Sequence, residues 1–171
     1  MNPVEKIREN QKANLLHDLA AKPHRKRIIH LDLIKSIGEI AKCLSDDEQI
    51  TLSQFTHHMS QRGIQVHKIE LPVNAEELLG KYGFPKPDFI QQFTSYHYDL
   101  LIDTTPSSDT FGLYITLNTS SSLRVAYENI EQPRTGLELE SYDFIIRGHG
   151  ECELSSYLTN ILNYMINIRK Q

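Results

Sequence analysis

Two short stretches of this chain bring together residue types that can do chemistry. The first is Asp103, with Thr104-Thr105-Pro106-Ser107-Ser108-Asp109 directly behind it. Two carboxylates flanking a run of hydroxyls offer hard oxygen ligands of the kind magnesium takes. The same residues also suit a structural role, in which Ser107, Ser108 or Asp109 caps a helix and Asp103 holds loop amides. The second stretch is Arg147-Gly148-His149-Gly150. Glycines on both sides of His149 permit a tight turn ahead of a helix, where amides and Arg147 could hold a phosphate or carboxylate. The candidate ligand-binding set is therefore Asp103, Thr104, Ser107, Arg147, Gly148, His149 and Gly150.

Other chemistries are poorly supported. No GxGxxG, GxxxxGK[ST] or GxSxG occurs, so dinucleotide, P-loop and serine-hydrolase signatures are missing. His57 and His58 are adjacent, so on a helix they point apart and make a poor metal clamp. Cys43 and Cys152 are the two cysteines. They form no CxxC pair, and structural zinc would need more ligands at closer spacing. Cys152 lies near His149, but no third group completes a nucleophilic set. The sequence names no catalytic residue, metal or cofactor, and catalysis is not the favoured reading.

Both candidate loops follow the same kind of segment. Tyr98-Asp99-Leu100-Leu101-Ile102-Asp103 is echoed 44 residues later by Tyr142-Asp143-Phe144-Ile145-Ile146-Arg147. Each copy reads as a buried strand. An apolar run without polar alternation belongs to a parallel strand covered on both faces. Other strands are expected at Ser36–Cys43, at 64–71 (alternating, hence near a sheet edge) and at Leu123–Tyr127. Ser45-Asp46-Asp47-Glu48 has capping-box spacing and opens a helix that buries Leu52, Phe55 and Met59 before Gly63. Further helices are expected at 4–21, with Val4, Ile7, Leu15, Leu16 and Leu19 on the apolar face, from Asp88 to Phe93, at 108–119 and at about 151–169. The last carries an apolar stripe at Leu154, Leu158, Ile161, Leu162, Met165 and Ile168. Residues 28–33 fit a strand or a helical turn, and 128–141 an irregular connection.

Alternation of this kind predicts an α/β fold. We expect one three-layer Rossmann-like or flavodoxin-like domain over residues 28–171. Its mostly parallel sheet has about five strands, with 2-1-3-4-5 as the default order. Residues 1–27 add an N-terminal helix and the basic hinge Lys22–Arg27. In such sheets ligands sit beyond the strand C-termini, so the loops at 45–47, 103–109 and 147–150 should share one edge.

The chain has 171 residues and a formal net charge of −4. Residues 1–35 carry eight Lys/Arg and four Asp/Glu, a formal +4; the remainder carries ten and eighteen, a formal −8. A basic arm on an acidic body points to an arm held against its own domain or a second copy. Nucleic-acid binding through Arg25, Lys26 and Arg27 is the sharper alternative, but an acidic body repels phosphate backbones. No apolar run reaches bilayer length, and Met1–Lys6 has no apolar signal core. With two isolated thiols, this suggests a cytoplasmic protein.

Ser36-Ile37-Gly38, Tyr98–Asp103, Leu123-Arg124-Val125-Ala126 and Tyr142–Ile146 together resemble a small bacterial family of uncharacterised proteins, a domain of unknown function. The likeness covers most of the chain and implies a fold but no activity. The strand pattern also resembles the N-terminal half of heptosyltransferase-type glycosyltransferases. In those, a Gly stands where this chain has Ala126, and a second domain binds the nucleotide-sugar. The resulting expectation is a binding or protein-interaction module that self-associates through its N-terminal helix or binds a protein. A phosphate, nucleotide or sugar site at the strand ends is the alternative.

Overall fold

The structure, a computed structural model, describes residues 3–24, 26–27, 29–107, 109–149 and 153–167. Five strands form one all-parallel sheet in the order β2-β1-β3-β4-β5. They are β1 (Ser36–Lys42), β2 (Gln65–Leu71), β3 (His97–Asp103), β4 (Ser120–Asn129) and β5 (Phe144–Gly148). The helices are α1 (Pro3–Ala20), α2 (Asp46–Gln61), α3 (Pro87–Thr94), α4 (Thr110–Asn118), α5 (Leu137–Glu140) and α6 (Leu154–Asn167). This is the expected α/β fold with the expected strand order.

The sheet sorts its side chains onto two faces. Ile37, Ala41, Leu100, Ile102, Leu123 and Val125 pack against Leu52, Phe55 and Met59 of α2 and Leu158, Ile161 and Met165 of α6. Ile40, Tyr98 and Leu101 face the other way, onto Ile90 and Phe93 of α3 and Phe111 and Ile115 of α4. With both faces covered, β1, β3 and β4 are buried along most of their length. Gly38 permits the second layer to close, because a Cβ there would stand 2.9 Å from both Leu101 and Tyr98 side-chain carbons.

The aspartates of the two Tyr-Asp pairs do one structural job twice. Asp99 accepts from the Lys35 and Ser36 amides at 2.8 and 3.2 Å, at the entry to β1. Asp143 accepts from the Arg124 amide in β4 at 2.8 Å. Each carboxylate satisfies an amide on the neighbouring strand and pins its register. Asp143 also anchors the hinge: His24 Nε2 donates to its carboxylate, and Lys26 Nζ to its carbonyl, both at 2.8 Å.

Several local expectations need correction. The helical spacing of Val4, Ile7 and Leu15 predicts a packed face on α1. In the fold Val4 and Ile7 are more than half exposed, and only Leu16 in that helix is buried. The helix rests on the body through its second half, where Leu16 meets Phe84, Leu113 and Leu117. The helix α3 starts at Pro87, with Lys86 and not Asp88 at the cap position, because proline needs no amide partner at a first helical turn. The strand β4 runs to Asn129, so part of the expected irregular connection is strand, and α5 occupies more of it. Residues 31–33 form a 3-10 turn. The cap of α4 is Asp109, accepting from the Phe111 amide at 2.8 Å. Arg25, Ile28, Ser108, Gly150, Glu151, Cys152 and Ile168 lie outside the described residues.

Candidate functional site

Because all five strands are parallel, their C-termini share one edge. The strand order reverses between β1 and β3. From this point α2 crosses to one face of the sheet and α4 to the other. Diverging helices leave a crevice at such a switch point. Here it measures about 540 Å3. Lys42, Cys43, Leu44 and Glu48 line one side, Thr104 to Ser107 the next, and Tyr127, Asn129, Gln132, Leu154 and Tyr157 the rest.

Asp103 builds the wall of this crevice from beneath. It is fully buried at the end of β3. Its carboxylate accepts from the Thr105 amide at 2.8 Å, the Thr105 hydroxyl at 2.6 Å, and the Tyr142 hydroxyl. Arg134, also buried, donates from its guanidinium to the Thr105 carbonyl at 2.8 Å, the Tyr127 carbonyl at 2.8 Å and Glu138 at 2.6 Å. Thr105 is thus held from both sides. Burial pushes the Asp103 carboxyl above its ordinary value, while Arg134, Thr105 and Tyr142 oppose that rise. Burial likewise pushes the Tyr142 phenol well up, so it remains a donor. Gly112 of α4 permits this assembly: a Cβ there would lie 2.6 and 2.7 Å from the two Asp103 carboxylate oxygens.

The loop above is tied down as well. Thr104 donates from its amide and hydroxyl to the Ile40 carbonyl at 2.9 and 2.8 Å. The Tyr157 hydroxyl donates to the Asp103 carbonyl at 3.1 Å. Ser107 Oγ lines the crevice, is itself buried, and has no hydrogen-bond partner among the described residues. A buried hydroxyl without a partner is costly.

Both charged side chains that line the crevice already have partners. Lys42 Nζ sits 2.7 Å from the Asp109 carboxylate. Glu48 closes the capping box of α2, accepting from the Ser45 amide and hydroxyl at 2.8 and 2.7 Å. Hydroxyls, carboxamides and two tyrosine rings dominate the remaining lining. The Tyr127 and Tyr157 rings meet edge to face with centroids 5.9 Å apart.

The chain belongs to the family of unknown function DUF6913. The family model matches residues 6–168. No curated protein matches the chain, and the likeness to glycosyltransferase halves is not shown.

The residues singled out from sequence fall into three groups. Thr104 and Ser107 line the crevice. Asp103 lies under its wall, with its side chain engaged in the buried cluster. Arg147, Gly148 and His149 stand at the end of β5. There Arg147 Nε donates to Glu128 at 2.5 Å, Gly148 lies against the Tyr127 ring, and His149 is exposed. Asp103 and Asp109 do not converge: Asp109 caps α4 and binds Lys42. Among the described residues, no group of three His, Cys, Asp or Glu side chains is placed to hold a metal ion. Of the basic hinge, Lys26 contacts Asp143 and Arg27 is exposed.

Sequence reasoning missed Arg134, Tyr142, Gly112, Tyr127, Asn129, Gln132 and Tyr157. Gly112, inside a run that otherwise reads as helix, was the one local signal available. An interior helical glycine costs about 0.5–1 kcal/mol against alanine and so calls for a packing reason. Glu39 was missed too. It is fully buried in β1, and neither carboxyl oxygen has a hydrogen-bond partner among the described residues.

Proposed function

We propose that this chain is a small-molecule-binding domain whose site is the switch-point crevice, and that it has no strong catalytic apparatus of its own. The observation that carries this is the crevice at the switch point, walled by Thr105, which is anchored from both sides. A rigid, pre-formed wall beside an open crevice suits a small ligand. The lining also suggests the ligand class. With Lys42 ion-paired and Glu48 engaged in the capping box, the rest of the lining is mostly hydroxyl, carboxamide and aromatic. That suits a neutral polyhydroxylated molecule with a flat face, a sugar or a nucleoside, better than an inorganic anion. Arg147, His149 and Gly148 could meet a pendant phosphate from the β5 side. Cys43 is an exposed free thiol, which suits a reducing compartment such as the cytoplasm.

A thermal-shift panel of nucleosides, nucleotides, monosaccharides and nucleotide-sugars on the full chain tests the reading. A ligand at one hundred times its Kd adds about 2.7 kcal/mol, or roughly 5–10 °C for a chain this size. Ser107→Trp, which fills the crevice, should abolish the shift. A panel that leaves the wild type unmoved, or a shift that survives Ser107→Trp, would reject the crevice as the site.

A second reading has its own observation. The described residues of α1 up to Gln11 are all exposed, with Val4 and Ile7 among them. These two exposed apolar side chains, about one turn apart, support a protein contact or self-association through the helix.

A further inference from the structure

The strand β2 forms one edge of the sheet and pairs with β1 alone. It runs seven residues in unbroken register, from Ser36 opposite Gln65 to Lys42 opposite Leu71. The bonds at its two ends set which residues face inward. The Gln65 amide donates to the Lys35 carbonyl at 2.8 Å, and the Leu71 carbonyl accepts from the Cys43 amide at 2.9 Å. Gln65, His67, Ile69 and Leu71 therefore direct their peptide groups at β1. Val66, Lys68 and Glu70 direct theirs outward, and no bond to those groups occurs among the described residues. Edge strands are often blunted by proline, bulges or coverage. Here Pro72 comes only after the strand, no bulge interrupts it, and Lys68 and Glu70 are the one defence.

That defence is self-complementary. We propose that β2 is an isologous interface, where two copies pair antiparallel edge to edge and extend the sheet to ten strands. The two-fold axis would pass through Ile69, placing Lys68 of each copy opposite Glu70 of the other. Both residues point their backbone groups outward, as a hydrogen-bonded antiparallel pair requires. The Lys68–Glu70 contact within the chain, at 2.9 Å, would become part of a four-charge group spanning the axis. The register shifted to put Lys68 on the axis keeps the same backbone parity but sets lysine against lysine, and like charges directly opposite are unfavourable. Charge thus selects one register. The strand β5, at the other edge, has five residues and its exposed Arg147 is paired within the chain to Glu128, so it presents no equivalent self-matching pair. Beside the β2 edge, Phe89, Gln92 and Tyr96 line an open groove with His67 and Ile69. The α3 side of the second copy would cover it.

Sedimentation velocity on the full chain across the micromolar range tests this. The wild type should sediment as a reversible dimer. Lys68→Glu sets carboxylate against carboxylate at both symmetric pairs, and Glu70→Lys sets lysine against lysine. Each should weaken association about tenfold or more, since both pairs turn repulsive. The double swap Lys68→Glu/Glu70→Lys restores opposite charges across the axis and should restore the dimer. That recovery separates interface charge from a folding defect. A monomeric wild type, a dimer indifferent to either single change, or a double swap as weak as the singles would each overturn the proposal. A dimer that disappears only when Val4 and Ile7 become polar would overturn it too, by placing the contact on α1 instead.

Discussion

Glu39 gives the most quantitative prediction. It sits in the middle of β1, in contact with no solvent, and neither oxygen has a hydrogen bond among the described residues. Burial raises its carboxyl from the ordinary 4.5 to about 8, with the Lys68 ammonium across the ladder opposing part of the rise. The folded chain therefore holds this proton where the unfolded chain has released it. Stability from the neutral form is complete below pH 4.5 and declines as pH rises toward 8, because the unfolded state binds fewer protons over that window. At 1.36 kcal/mol per pKa unit, the loss is on the order of 3 kcal/mol at pH 7 and about 5 kcal/mol above pH 8. Urea denaturation between pH 5 and 9 measures this directly. Glu39→Gln keeps the shape and removes the titration, so its stability should vary less with pH. Glu39→Leu also removes the unsatisfied oxygens and should exceed the wild type at pH 8 by a few kcal/mol. If the wild type and Glu39→Gln show the same pH slope, the buried carboxyl does not carry this penalty. Destabilisation by Glu39→Leu at pH 8 would mean that the side chain has a favourable partner.

Three further outcomes follow from particular contacts. Gly112→Ala should lower stability by about 1–3 kcal/mol, as overpacking does, although alanine is the better helix former. A melting curve at or above the wild type would show that α4 can withdraw from Asp103 freely. Asp143→Ala removes the shared acceptor for Arg124 and His24, so limited trypsinolysis should cut faster within Lys22–Arg27. Unchanged cleavage would show that the hinge is held by other contacts. Tyr142→Phe should destabilise by about 1–3 kcal/mol, the cost of a lost partner at a buried acceptor, and should weaken binding in the crevice through a less rigid Thr105. Tighter binding in that variant would contradict the idea that the buried cluster pre-forms the wall.

The fold was legible because its signals are local. Apolar runs, the Ser45 capping box and the alternation at 64–71 depend on neighbours a few residues apart, and the parallel order follows from how strands and helices alternate. The Tyr-Asp pairs were legible as a pattern, while their task, pinning an amide on the next strand, needs a register that only the folded sheet supplies. Periodicity misled at α1, because Val4 and Ile7 have helical spacing but the body is reached only by the second half of the helix. The buried cluster was illegible for a different reason. Arg134 looks like an ordinary loop arginine beside Pro133, yet its guanidinium meets a carbonyl 29 residues earlier in the chain. Glu39 was hidden by its setting, since one acidic residue between Gly38 and Ile40 reads as polar alternation.

The central claim is that the crevice at the ends of β1, β3 and β4 receives a small polyhydroxylated ligand. The most direct measurement is an amide-resolved NMR titration of the full chain with nucleosides and monosaccharides, wild type beside Ser107→Trp. Saturable shifts should centre on Lys42 to Leu44, Thr104 to Ser107, and Tyr127 to Gln132, and be lost in the variant. Saturable shifts confined to α1 or to the outer face of β2, or no shifts with any member of the panel, would contradict it.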